Sequence, residues 1–256
     1  MKYRNILIII GCIVLMVMSF SLTKEGKALE QNKINYFNEV KAYSLDLNTF
    51  EKLSKSNNVI AIGDALKYDS GLPDLKATVR RNKKNVFKSY IDITWKKASV
   101  TIPVKGRIDN IHWRPKNASF VYVWDLGDTE GGDFVKCTLN YVTLKYSRGT
   151  VLIDNREIGS HEPYTGLAWS SNGKYYVSSV YSSLQIKEFD SGKTWATKTI
   201  ILDDGKTSIP HNTPTQLGYF SWIENDKKIL FLWKSHPFDD EPSGYAIIDV
   251  GQFKLK

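Results

Sequence analysis

The chain has 256 residues, of which 42% are hydrophobic, 12% aromatic and 24% charged, with a formal net charge of +8. That is enough apolar material for one large all-β domain or two small ones, and the ordinary charged fraction without any low-complexity run excludes a disordered or fibrous chain. Only two cysteines, Cys12 and Cys137, are present, which excludes a disulfide-stapled scaffold.

Lys2 and Arg4 precede an apolar run from Ile6 to Phe20, broken only by Gly11 and Ser19. A short basic stretch before an apolar one of this length is the pattern of an export signal, and Ser19-Phe20-Ser21 and Gly26-Lys27-Ala28 are small-x-small cleavage points. Extended to Leu22, the run reaches about 17 residues, the lower limit for a spanning helix, so residues 1–28 read as a signal peptide or a membrane anchor. Ile9-Ile10-Gly11-Cys12 has the form of a lipobox, but the apolar run continues past the cysteine. On any of these readings the rest of the chain is secreted or membrane-anchored, outside the cytoplasmic membrane. Residues 1–28 carry four basic side chains against Glu25, a net +3, which leaves +5 for the remainder. Its lysines are scattered. The clusters at Arg80-Arg81-Asn82-Lys83-Lys84 and Lys96-Lys97 read as a solvated loop and strand edge, and no nucleic-acid partner is expected.

Residues 29–40 read as a polar connector with partial helical character. Lys41 to Leu47 alternates with period two and reads as a strand, turned at Asn48-Thr49 and continued by Phe50 to Leu53. Val59 to Ile62 reads as a short buried strand and Asp64 to Pro73 as a loop. Strands are expected over Lys76–Val79, Val86–Trp95 and Ala98–Val104, with Tyr90 to Trp95 alternating cleanly. Cys137, within Val135 to Leu139, reads as a small strand residue. No stretch after residue 40 keeps apolar residues at helical spacing for three turns, so residues 41–256 are expected to be all-β.

One sentence is written three times: Asn110 to Val123 around Trp113, Gly166 to Ser179 around Trp169, and Tyr219 to Leu232 around Trp222. No gap is needed, and the tryptophans are 56 and 53 residues apart. Asn172-Gly173 between two β-rich runs is a strong hairpin signal. Seven residues after each tryptophan stands Phe120, Tyr176 or Ile229. A second element recurs downstream as a strand ending in a polar turn, at Val142–Gly149, Ile186–Lys193 and Ala246–Gly251, and Tyr43–Thr49 fits its template. A unit of this length with about four strands cannot bury both faces alone, and stacking its copies does so.

Ala168-Trp169-Ser170-Ser171-Asn172-Gly173-Lys174-Tyr175-Tyr176-Val177 resembles the Trp-Ser-Pro-Asp-Gly-Lys repeat of TolB-like (WD40-like) β-propellers. The first copy keeps Trp113 and Pro115, and the third keeps Trp222 and an Asn225-Asp226-Lys227 turn. The resemblance implies a small propeller of four to five blades, each of about four antiparallel strands, with the strand around Tyr43 completing the last blade. It also implies that loops leading into a blade and loops between its second and third strands share a face. That brings His161, Glu162, His211, His236, Asp239, Asp240 and Glu241 to one rim as a ligand-binding face. Asp125, Asp128, Glu130 and Asp133 offer hard oxygen ligands beside two glycines, a chemistry that suits Ca²⁺ although the spacing is not that of an EF-hand. No other cofactor is expected. No Gly-x-Ser-x-Gly, His-Glu-x-x-His or phosphate-binding glycine loop is present. The reading is a non-catalytic module binding a protein or cell-envelope component, with a hydrolase or glycosidase using carboxylates and histidines on that face as the alternative.

Overall fold

In a computed structural model, the residues described are 34–56, 67–82, 88–125, 137–161, 166–180, 182–236, 239 and 241–255. The expected signal or anchor and the strand expected at Val59–Ile62 lie outside them. The fold is all-β. It opens with β1 (Ile34–Phe37), β2 (Val40–Leu45) and the single α-helix among the described residues, α1 (Leu47–Ser56). Four sheets follow. Sheet I is the meander β3 (Lys67–Asp69), β4 (Leu75–Arg81), β5 (Ser89–Trp95) and β6 (Ala98–Val104); sheet II is β7 (Arg107–Trp113), β8 (Ser119–Asp125), β9 (Cys137–Ser147) and β10 (Thr150–His161). Sheet III is β11 (Leu167–Trp169), β12 (Tyr175–Val180), β13 (Ser183–Glu188) and β14 (Thr194–Thr197), with β1 added in parallel beside β14. Sheet IV is β17 (Gln216–Ile223), β18 (Lys228–Lys234) and β19 (Gly244–Asp249), completed by β2 and then by β15 (Thr199–Leu202) and β16 (Ser208–Pro210).

The sheets stack in chain order. One apolar cluster joins I to II through Leu75, Ile91, Ile93, Phe120 and Val142; a second joins II to III through Val121, Leu139, Leu167 and Tyr176. The largest joins III to IV through Val177, Ile186, Trp195, Trp222 and Phe231. This explains the sequence texture. In β8, β12 and β18 both faces are covered, so β8 and β18 are nearly continuous apolar runs and β12 is buried from Tyr175 through Ser178 and Ser179, whereas β4 alternates buried and exposed because sheet I is covered on one face.

The repeated tryptophans face backwards, each into the cluster shared with the preceding sheet. Trp169 Nε1–H donates to the carbonyl of His112 at 3.1 Å, and Trp222 Nε1–H donates to the carbonyl of Ala168 at 2.9 Å. Both acceptors are the residue just before the previous tryptophan. Across the hairpin each tryptophan pairs with the residue seven positions on: Trp113 with Phe120, Trp169 with Tyr176, Trp222 with Ile229. The turns are linked in the same direction. Arg114 Nε–H donates to the carbonyl of Gly173 at 2.8 Å, and Ser171 donates its N–H and hydroxyl to the carboxylate of Asp226. Gly173 has φ +67°, and a Cβ there would stand 3.1 Å from Arg114 Cγ, so both conformation and close approach favour glycine.

A fourth copy, invisible to the tryptophan alignment, lies in sheet I. Asp69 pairs with Lys76 as Trp169 pairs with Tyr176, and Ser70 Oγ–H donates to the carbonyl of Leu75 as Ser170 Oγ–H does to that of Tyr175. This places strand β3 within the stretch expected to be a loop.

Three other expectations change. Leu47–Ser56 is a helix, not a turn and strand: Asp46 caps it, accepting the N–H and hydroxyl of Thr49, and Phe50 and Leu53 pack on Leu230, Leu232 and Ile247. Its apolar face is under three turns long, which is why periodicity missed it. Residues 34–37 of the expected connector are strand β1, not helix. The Tyr43 strand does complete the last sheet, but as the outer partner of β19 rather than as an equivalent of β9, β13 and β19.

Truncating a buried tryptophan costs about 3–5 kcal/mol. Trp222→Ala is expected to lose that much in urea unfolding. Trp222→Phe, which keeps an aromatic ring but loses the donor and part of the indole's volume, should lose less, about 2 kcal/mol.

Candidate binding face

The meander gives the molecule two unlike ends. At one end the strands are joined by tight turns, at 70–74, 96–97, 114–118, 148–149, 170–174, 189–193 and 224–227. At the other are the strand ends that flank the longer intervals 82–88, 126–136, 162–166, 211–215 and 235–243, together with the short β6–β7, β12–β13 and β15–β16 connections. In sheet II the register aligns Arg107, Asp125, Cys137 and His161 across all four strands at this loop end. In sheet III, Ser182 in the β12–β13 turn donates to the carbonyl of Pro210 at 2.5 Å and accepts from Thr213 N–H at 3.2 Å, which holds the His211 loop beside that turn. The Ser235–Ser243 loop closes the same end of sheet IV.

Of the expected site residues, His211, His236, Asp239 and Glu241 are described at this end, and the contacts found there are local. His211 donates its N–H to the carbonyl of Lys198 at 2.6 Å, and its Nδ1 lies 3.2 Å from the same oxygen. Asp239 accepts the N–H of His236 at 2.9 Å, while its own carbonyl accepts from Lys234 Nζ at 2.6 Å. Ser235 N–H donates to Ser243 Oγ at 2.7 Å, which pins the base of that loop, and Glu241 is exposed. Asp125 is buried and accepts from Arg107 Nη2 at 3.2 Å. Gly106, just before Arg107, fits because it lacks a Cβ, which would fall 2.0 Å from the carbonyl oxygen of Asp125. Glu162, Asp240, Asp128, Glu130 and Asp133, and the side chains of His161 and Cys137, lie outside what is described. Among the described residues no group of three or more His, Cys, Asp or Glu is placed to hold a metal ion.

Sequence reasoning missed Arg107, Lys234 and the Ser182–Thr213 clasp. None has a motif, because each partner is set by sheet register rather than by spacing. It also passed over His112, whose ring faces sheet III. Its Nε2 is buried with no hydrogen-bond partner, and burial lowers its pKa from 6.5 to about 4. Burial likewise raises the Tyr176 hydroxyl well above its ordinary range. Both lie in the seam between sheets II and III, away from the loop end, and read as structural.

No family model matches the chain, and no curated protein matches it. Among solved structures it is similar to an oligogalacturonate lyase in complex with manganese, at 12% identity over 71% of this chain, with a TM-score of 0.30. The match spans 64% of that protein's length. A superposition this loose carries nothing about substrate or metal to the present chain.

His112 sets an acid limit. Its pKa is lower folded than unfolded, so the stability it allows is complete above about pH 6.5 and is lost as pH falls from there towards 4. Over that window the wild type should lose about 3 kcal/mol more than His112→Leu, as read from urea midpoints at each pH. Parallel profiles would show that the ring is not neutral and buried.

Proposed function

We propose that this chain is an exported or membrane-anchored, non-catalytic binding module whose four sheets are the blades of a small, open, degenerate propeller. Its loop end takes a protein or a cell-envelope component. The observation that carries this reading is the internal bracing of the loops. His211 leans on the Lys198 carbonyl, Asp239 folds its loop back onto His236 and Lys234, and Asp125 is held by Arg107. Polar groups that a hydrolase would keep poised for proton transfer are here used to fix loop shape. A fixed surface binds with less ordering cost than a floppy one. The rigid scaffold beneath, with two-sided cores in sheets II to IV, is the usual support for recognition loops.

The test replaces His211, Asp239 and Glu241 by alanine in the full chain and compares it with wild type. Retention on purified cell-envelope fragments should fall at least about tenfold, in keeping with a surface that loses its loop bracing at His211 and Asp239 and the exposed carboxylate of Glu241. Neither protein should turn over a panel of envelope glycans and esters. Turnover by the wild type that disappears in the variant would replace the binding reading with the hydrolase one.

A further inference from the structure

We infer that the turn end is a bilayer-facing surface, docked on anionic lipid, so that the loop end points away from the membrane. Two independent observations meet here. The first is where the chain enters. β1 begins with Ile34 beside Thr194, one residue after the β13–β14 turn, and Asn35 Nδ2–H donates to the Thr194 carbonyl at 3.1 Å. The 33 residues before it, with their apolar run at 6–22, therefore join the domain at the turn end. The 11 intervening residues, 23–33, reach at most about 40 Å when fully extended. A tether entering at that end keeps the turns within reach of the bilayer, and the charge of the turn end is what would hold them there.

The second observation is charge. The turns at 70–74, 96–97, 114–118, 148–149, 170–174, 189–193 and 224–227, with the C-terminal stretch 250–255, hold nine Lys or Arg against four Asp or Glu. Lys97, Lys116, Arg148, Lys193, Lys227 and Lys254 are all exposed. They form one surface because the turns touch. Lys96 Nζ lies 4.8 Å over the Tyr146 ring, joining the turns of sheets I and II; Arg114 pairs with Asp190 at 3.2 Å; Ser171 is bonded to Asp226; Val250 N–H donates to the Lys227 carbonyl at 2.8 Å. At the other end, the 126–136 and 235–243 loops hold six Asp or Glu against one Lys, while 82–88 and the 105–106 connection are basic. Lysines within a Debye length, about 8–10 Å, of an anionic leaflet are attracted to it, and the acidic loops would be repelled.

This inference shares with the proposed function only the reading of residues 6–22 as a membrane segment, and the experiment separates the two. The full chain is mixed with vesicles of phosphatidylglycerol and phosphatidylcholine, or of phosphatidylcholine alone. It is then floated and labelled with an amine-reactive reagent, with each lysine read by mass spectrometry. On anionic vesicles Lys97, Lys116, Lys193 and Lys227 should label at least about fivefold more slowly, and the protection should vanish at about 0.5 M salt, while the exposed loop-end lysines Lys88 and Lys105 stay unchanged. The triple variant Lys116→Glu, Lys193→Glu, Lys227→Glu should float but lose protection at Lys97. Protection with flotation on anionic vesicles alone would uphold the docking surface and remove the anchor. Flotation on both vesicles without turn-end protection would overturn the docking surface and keep the anchor. No flotation on either would overturn both.

Discussion

Every sheet after the second is fixed to its predecessor by one indole. Trp169 and Trp222 bury their rings in the preceding seam and place Nε1–H on the carbonyl just before the previous tryptophan. A buried indole needs a partner for its single donor, and a carbonyl on the first, edge strand of the preceding sheet supplies it with its second lone pair, the first being engaged in the β7–β8 or β11–β12 ladder. The same bond made twice gives the same spacing and rotation twice. The turn contacts then follow at the end of each hairpin, where Arg114 reaches Gly173 and Ser171 reaches Asp226. Stability is thereby built sheet by sheet, as in other stacked repeats.

A stack needs ends. Sheet I leaves one face open and makes it polar: Arg80 pairs with Asp92 at 2.9 Å, Thr101 donates to the same carboxylate at 2.7 Å, and the Arg80 guanidinium lies over Tyr90. The Arg80 hydrogen bond holds the Asp92 carboxyl below its usual range. In register, Asp69 stands where the other sheets have tryptophan, since sheet I has no predecessor in the chain to reach. At the far end α1 covers sheet IV with Phe50 and Leu53. The N-terminal strands knit sheets III and IV together, β1 as the outer edge of sheet III and β2 between β19 and β15 in sheet IV, with Val40 and Ala42 buried in the largest core and Phe37 packed edge-on to Phe253 at 5.4 Å. Continuous strands laid across two neighbouring sheets turn a linear stack into one cooperative body.

Much of this architecture was legible in the sequence, and the misses have physical causes. Hairpins at Trp113, Trp169 and Trp222 were written in period and turn chemistry, and the clean alternation of Tyr90 to Trp95 already marked a half-covered sheet. The fourth copy was hidden because its shared feature is the Ser70 turn hydroxyl rather than an aromatic. Helix α1 was too short to show a face, and its Asp46 cap resembles any turn. At the loop end the sequence named loops but not pairings: Arg107 meets Asp125 only through the β7–β8 register, and Lys234 meets Asp239 only when the loop folds back. Shared topology brings loops to one end, but it does not bring their side chains together.

Polarity is the functional consequence of this construction. Because most hairpins of the meander close in tight turns at one end, the longer connections collect at the other, while the basic turns and the incoming N-terminal chain occupy the opposite pole. All of it depends on the indole bonds that align the sheets. Hydrogen exchange at the tryptophan Nε1 positions, followed by NMR on the intact chain, tests them most directly. The Trp169 and Trp222 indole protons should be among the slowest to exchange, close to the rate set by global unfolding. Exchange of either at the rate of a solvent-exposed indole would contradict the stack as described.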